Sequence, residues 1–344
     1  QFMEQARPDA EWKHEEASTR MFDYLIDENK INLNEFDLTA QDRTFIKELI
    51  KHPKSAGQGA WSYEGREEEK GFLYQIVCNE QNGMDVDKWD YFARDSYHLG
   101  LPKKFDHMQL IQHARVVKVD GKWQICYRKK ASRTKNKKKK EWRNVYDMFY
   151  TRAFLHNQAY QHKAIKAVEM IITIGTYPWP FLCAFTTVGR RYRKDAAVYD
   201  MASYTNMTDQ VFQEILYSQN PNLQKAKDIL QKIITRKLYR FVDETQPEDW
   251  RLLEEFKSDP STLEKKIAEE DISRKITAED IRVKFVKVDY GKGDQNPVKN
   301  VRFWNKDNPT EAESLEENEL TQMLPVKFAD RFVRVYCKKQ DKES

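Results

Sequence analysis

At 344 residues, with 33% charged and 12% aromatic side chains, the chain is too rich in core-forming residues for a disordered polymer and long enough for two or three domains. The net charge of +4 is unevenly spread: Arg128–Lys140 holds nine basic residues and no acidic one, and the rest of the chain carries −5. Four scattered cysteines, Cys78, Cys126, Cys183 and Cys337, form no C-x-x-C pair, which argues against a zinc ribbon or disulfide framework and for reduced, intracellular thiols.

No signal peptide opens the chain, since Gln1–Arg7 is polar, and the missing starting Met reads as an internal piece of something longer. Glu15–Asp27 carries Met21, Phe22, Leu25 and Ile26 at helical spacing. Thr39-Ala-Gln-Asp is a capped helix start before Phe45, Ile46, Leu49 and Ile50. Pro53–Glu64 reads as a loop, and Phe72–Cys78 as an apolar segment leading to the Asn82-Gly83 turn.

The next stretch, Met84–Gly100, holds the most chemistry. Asp85 is a helix cap, and Gly100 followed by Pro102 is a stop. At helical pitch Asp87, Lys88, Tyr91, Arg94, Asp95 and His98 share one side, and Trp89, Phe92, Ala93 and Ser96 the other. Spacing alone is also satisfied by a surface helix with i,i+4 charge pairs.

Phe105–His113 reads as a short helix, and Val116–Tyr127 as a β-hairpin turning at Asp120-Gly121. After the basic run, Asn144–Ile172 reads as one long helix, with Arg152, His156, Tyr160 and Lys163 on one face. Met170–Gly189 is uncharged, but Gly175, Pro178, Pro180 and four threonines argue against a membrane span. Thr208–Tyr217 and Leu223–Thr235 are two more helices, and Asp249–Asp271 is exposed helix and linker. Ile281–Tyr290 and Val298–Trp304 read as strands around a Gly-Lys-Gly-Asp turn. Thr310–Asn318 reads as an acidic loop, Leu320–Phe328 as a helix and Arg331–Lys338 as a final strand.

The stretch DVDKWDYFARD resembles the last metal-ligand helix of the HD-domain phosphohydrolases. More closely, the chain is similar to the vertebrate deoxynucleoside triphosphate (dNTP) triphosphohydrolases that join a SAM domain to an HD domain. The matches run in one order from ARPDAEWKHE through NVYDMFYTR, AYQHK, DMASYT, EILYS, ETQP, DYG and LPVKFAD to RVYCKK. The resemblance implies a mainly α fold: a partial HD-type helical core over 1–243, with the hairpin near 116–127 and a basic insertion at 128–140. A C-terminal α+β lobe with a small antiparallel sheet follows over 244–344, incomplete at its end.

It further implies hydrolysis of dNTPs to deoxynucleoside and inorganic triphosphate, activated by nucleotides and controlling the dNTP pool. In that family one divalent transition metal (zinc, iron or manganese) is held by a His, a His-Asp doublet and a distant Asp, and Mg2+ accompanies the nucleotides. Asp87 matches the distant Asp. No His-Asp dipeptide precedes it, and neither His14 nor His52 supplies one, so the metal half-site is expected in residues upstream and the chain alone is expected to be inactive. His14 matches a proton-transfer residue, a role suited to an imidazole. Lys88, Tyr91, Asp95, Arg152, Tyr160 and Gln161 match the residues around the substrate, and His156 lies between Arg152 and Tyr160 on the helix face. Lys88 and Arg152 suit the triphosphate, Tyr160 the deoxyribose, and Asp95 and Gln161 its 3′-hydroxyl.

Asp106, Arg128, Lys130, Asn144, His162, Lys163, Arg236, Arg240 and Lys338 match regulatory pockets in which GTP or dNTP activators bridge a homo-tetramer. Gln109 stands where the family has Arg, Lys135–Lys140 is extra length, and Thr173–Val188 departs from the family's charged helix. The resemblance also places the protein in the nucleus, with a role in antiviral defence. Two other readings fit the same residues. One is an inactive paralogue that binds nucleotides or nucleic acid. The other is a module that binds single-stranded nucleic acid through Arg128–Lys140, which would show steep salt dependence.

Overall fold

The computed structural model describes residues 12–53, 61–129, 142–176, 200–206, 208–271, 275–316 and 324–339. The chain opens on α1 (His14–Glu28), then α2 (Ala40–Ile50), which starts on a complete capping box. The Thr39 hydroxyl accepts from the Asp42 amide at 3.3 Å, and the Asp42 carboxylate accepts from the Thr39 amide at 2.7 Å. Asp42 also pairs with Arg66, and bonds from Thr39 and then Arg66 hold its carboxyl down to about 2. A carboxylate depressed in the folded state stabilises above its unfolded pKa, and that contribution is lost as pH falls through the folded value. The stability difference between the wild-type chain and Asp42→Asn is therefore expected to be full above pH 4 and to shrink toward pH 2. Paired urea titrations across that range measure it.

A 3-10 turn (Glu68–Leu73) and one α-turn (Tyr74–Val77) lead into α3 (Val86–Leu99). Asp85 caps α3, and Gly100 ends it in the left-handed region at φ +64°, as the sequence signals predict. Trp89, Phe92 and Ser96 are its buried side. Helix α4 (His107–His113) precedes the hairpin β1 (Arg115–Val119) and β2 (Lys122–Lys129). Its two turn residues, Asp120 and Gly121, have φ +51° and +79°, the pattern of a type I′ turn.

The expected single helix from Asn144 to Ile172 is broken. Helix α5 (Trp142–Leu155) passes into a π-turn (His156–Tyr160), and α6 (Lys163–Thr176) starts afresh. The cause is tertiary. Carbonyls at the break find partners on the last strand: Arg334 donates to Gln161 O, and the Tyr336 hydroxyl to Lys163 O at 3.2 Å. His162 then caps α6, its Nδ1 accepting from the Ala164 amide at 3.2 Å. A π-turn shifts side-chain register, so Arg152, His156, Tyr160 and Lys163 do not form the continuous stripe that one α-helix would give.

A short helical segment at Met201–Thr205, capped by Asp200, precedes helices α7 (Gln210–Tyr217) and α8 (Gln224–Ile234), and α8 is entered through a 3-10 turn at Pro221–Leu223. After β3 (Arg240–Thr245) the expected exposed stretch holds short helical turns and α9 (Pro260–Glu269). The remaining strands are β4 (Ile281–Asp289), β5 (Phe303–Asn305), β6 (Ala312–Glu313) and β7 (Ala329–Cys337). Two sequence expectations fail here. Val298–Trp304 is not one strand, because Asn296 caps a 3-10 turn begun by Pro297, and only Phe303–Asn305 extends. Of the expected helix Leu320–Phe328, the described residues 324–328 are not helical, and Pro325 lacks the amide that a helix interior needs.

The chain divides into two compact units of interleaved segments. One comprises Gln1–Lys30, Ala159–Lys287 and Arg331–Ser344, the other Ile31–Gln158 and Val288–Asp330. In the first, α6 and α7 both pack on α8. Ile215, Leu216, Leu223, Ala226 and Leu230 form one cluster there, and Ala167, Met170 and Tyr336 another. Its sheet has the order β3-β7-β4, with β3 antiparallel to β7. In the second, α3 packs on α5, and the sheet order is β1-β2-β5-β6. Within that sheet β2 and β5 run parallel, Tyr127 beside Phe303. The strands expected to flank one turn, β4 and β5, thus belong to different sheets. No helix among the described residues is long and apolar enough to cross a membrane, and 177–189 of the uncharged run lies outside them.

Candidate functional site

Six of the predicted metal and substrate residues, Asp87, Lys88, Tyr91, Asp95, Arg152 and His156, fall in the second unit, on α3, α5 and the first residue of the π-turn. The Asp85 cap, 1% exposed, anchors the start of α3. Its carboxylate accepts from the amides of Lys88 and Asn79 at 3.2 and 3.0 Å and from Lys88 Nζ at 2.8 Å. Lys88, expected to meet phosphate, is therefore held beforehand by a buried acid. One turn on, burial pushes the Tyr91 phenol up to about 12; Arg152 opposes the shift, and Asp87, Asp85 and Asp95 add to it. Tyr91 thus stays protonated, a donor lying in the fields of both Arg152 and Asp87. Asp95 pairs with Arg94 Nη1 at 2.9 Å.

Arg152 has a partner that sequence reasoning missed. Its Nη1 donates to both the backbone oxygen and the carboxylate of Asp289, the latter at 2.6 Å. The Asp-Tyr-Gly motif was visible, with its turn glycine, but nothing local says that its acid meets an arginine 137 positions earlier.

The other predicted substrate residues, Tyr160 and Gln161, begin the first unit's next segment, and the Gln161 carbonyl is taken by Arg334. His14, the first residue of α1, is 76% exposed and lies 3.4 Å from Glu15. His52 is committed elsewhere: Nε2–H donates to Cys78 O at 3.0 Å, and Nδ1 accepts from the Tyr63 hydroxyl at 2.8 Å. Among the described residues no group of three or more His, Cys, Asp and Glu could hold a metal. The family's metal implies such a set, and exposed Asp87 alone does not make one. A cavity of about 310 Å³ in the same unit is lined by other residues, including Trp61, Tyr63, Tyr74 and Trp123, and by none of the predicted substrate set.

Of the expected regulatory residues, Arg128 and Asn144 line one small cleft with Gln109, and Asp106 is bonded to Asn144 and Gln109 beside it. Asp106 caps α4 and accepts from the Gln109 amide at 3.1 Å. Asn144 exchanges two 2.8 Å bonds with the Asp106 backbone and donates to Gln109 Oε1 at 3.2 Å. Arg128, beside them, lies over the Trp304 ring with its Nε buried and unpartnered among the described residues. In the first unit Lys163 sits 4.7 Å from the centre of the Phe241 ring, next to Arg240 on β3. Arg240 pairs in register with Cys337, the neighbour of Lys338, and burial lowers the Lys338 ammonium's pKa. Exposed His162 is used as a helix cap, and Arg236 takes φ +54° just past α8. Lys130 and the lysines at 135–140 lie outside the described residues.

No family model matches the chain. Curated relatives do. It is 41% identical over its whole length to deoxynucleoside triphosphate triphosphohydrolase SAMHD1 of Xenopus laevis and 40% to that of Homo sapiens, covering 55% and 54% of those proteins. A SAMHD1 homolog of Dictyostelium discoideum is 30% identical over 96% of the chain. The chain spans about half the length of these relatives. Along all of that span it is a homologue of the SAMHD1 deoxynucleoside triphosphate triphosphohydrolases.

Proposed function

We propose that the chain takes part in hydrolysing dNTPs to deoxynucleoside and inorganic triphosphate, and that its α3–α5 face binds the nucleotide. One observation carries this reading: packing of α3 on α5 gathers Tyr91, Arg152 and the Asp87 and Asp95 carboxylates into one electrostatic neighbourhood. In the reaction a water oxygen joins the α-phosphorus, the bond to O5′ breaks, and O5′ takes up a proton. Lys88 and Arg152 neutralise phosphate charge, Tyr91 donates a hydrogen bond, and Asp95 accepts one from the sugar. No step is assigned to a metal, since the described donors do not form its site. By family resemblance the cleft lined by Arg128 and Asn144, beside Asp106, takes an activating nucleotide. Gln109 there forms a neutral bond with Asn144 where the family's arginine would carry a charge.

The test is titration of the chain with dGTP, followed by an assay for released inorganic triphosphate. The expected result is saturable dGTP binding, competed by inorganic triphosphate, with turnover at background. Absence of dGTP binding would remove the reading. Turnover accompanied by a stoichiometric transition metal would show instead that the chain holds a metal site beyond Asp87.

A further inference from the structure

The turn that ends β4, Asp289-Tyr290-Gly291-Lys292, is not among the residues singled out for the nucleotide, yet it touches α5 and the segment that leads into α3. Tyr290 docks it on α5: its ring lies 6.0 Å from Tyr146, nearly parallel, and 6.4 Å from Tyr150. Its amide donates to Phe328 O at 3.1 Å. Asp289 shapes the turn by accepting from the Gly291 amide at 2.8 Å while it holds Arg152. At Gly291 (φ +101°) the backbone runs alongside that arginine, so a Cβ there would lie 3.5 Å from Arg152 Cδ. The next residue reaches the segment before the other helix. Lys292 Nζ donates to the Glu80 carbonyl at 2.7 Å, in the segment just before α3. That segment runs on to Gly83, where a Cβ would lie 3.9 Å from Lys88 Cε.

We infer that this turn is the third wall of the polyphosphate site, with Lys292 as a phosphate-contacting residue beside Lys88 and Asp289 as the positioning residue of Arg152. The inference rests on the nucleotide reading above and adds two residues to it.

Two physical arguments support the assignment. First, the carboxylate and backbone oxygen of Asp289 both engage Nη1, and among the described residues Arg152 makes no other hydrogen bond. The Nε–Nη2 edge, which grips a phosphate bidentately, is therefore left for the ligand while the guanidinium plane is fixed. A flexible arginine would lose side-chain entropy on binding; this one has lost much of it already. Second, Lys292 lies in the field of Lys88, a like charge that, after burial, helps lower its pKa. Two ammonium groups brought together repel, and a polyanion between them relieves the repulsion. Glu80 takes the Lys292 hydrogen bond through its backbone carbonyl, and the field of its carboxylate only partly offsets burial and Lys88, so the ammonium still has charge to offer a phosphate.

The experiment compares the 344-residue chain with Lys292→Gln, Asp289→Asn and Arg152→Ala in titrations with dGTP and with sodium tripolyphosphate. Glutamine at 292 keeps a donor for the Glu80 carbonyl and removes only the charge. Melting curves of every variant establish that each is folded. Lys292→Gln is expected to weaken both ligands by about tenfold, the size of one charge-assisted contact. Asp289→Asn is expected to weaken them several-fold while leaving the fold intact. The assignment is overturned if Lys292→Gln binds like wild type. It is also overturned if Asp289→Asn binds equally or more tightly, since Asp289 would then compete with phosphate for Arg152. If Arg152→Ala is also without effect, the nucleotide reading itself falls, and not this addition to it alone.

Discussion

Gly65→Ala is expected to cost about 3 kcal/mol or more, raising the unfolded fraction on the order of a hundredfold. The reason is space. A Cβ at residue 65 would overlap Phe45 Cα and lie 2.6 Å from Phe45 N, so the atoms in the way are the backbone of α2, which no rotamer change can move. That corner is also held by Glu48, 9% exposed on the same helix. Its carboxylate accepts from the amides of Glu64 and Gly65 at 2.7 and 2.9 Å and from the Tyr74 hydroxyl at 2.5 Å. Shifting the turn to admit a methyl would loosen the two bonds that its amides make. Glu48→Gln is expected to cost about 2 kcal/mol through the lost charge on the same donors. Gly100→Ala is the contrasting control: φ is +64° but nothing lies within 4 Å, so the cost is the backbone term of about 1 kcal/mol. Urea unfolding of the three variants orders them. Equal midpoints for Gly65→Ala and Gly100→Ala would refute the steric account.

For binding, the largest expected effect belongs to Arg152→Ala, a loss of about a hundredfold in dGTP affinity, as for a bidentate charge-assisted contact at a partly buried site. Lysine in its place is expected to recover little. An ammonium is a point charge, and it cannot hold Asp289 through one edge while presenting a second, planar edge to phosphate. The alanine variant also leaves the Asp289 carboxylate, 16% exposed, without its cation, so the site becomes repulsive to a polyanion. Calorimetric titration with dGTP at fixed ionic strength measures the change, and wild-type affinity in Arg152→Ala would exclude α5 from the nucleotide site.

The features that were legible in the amino-acid order are those whose cause is local. Thr39 and Asp42 cap a helix because a hydroxyl and a carboxylate three residues apart meet the first free amides. Asp85 and Gly100 delimit α3, and Asp120-Gly121 sets a two-residue hairpin turn, for similarly short-range reasons. The proposed substrate set came from resemblance, and four of its members lie on α3 and α5, which pack together in one unit. The break at 156–162 was not legible, because the groups that satisfy its carbonyls, Arg334 and Tyr336, lie 173 positions away. Nor was the fate of the expected strand at 298–304, where Pro297 imposed a turn and its last residues paired parallel with β2.

What the sequence by itself determined about this protein is where its helices start and stop, where its hairpin turns, and which kinds of side chain line one face of α3. Only the tertiary structure decided that Asp289 grips Arg152 and that the β4 turn joins α5 to the segment before α3. Caps and turns are settled by atoms a few bonds apart. The partner of a buried charge is settled by which distant segment the packed chain brings within 3 Å of it.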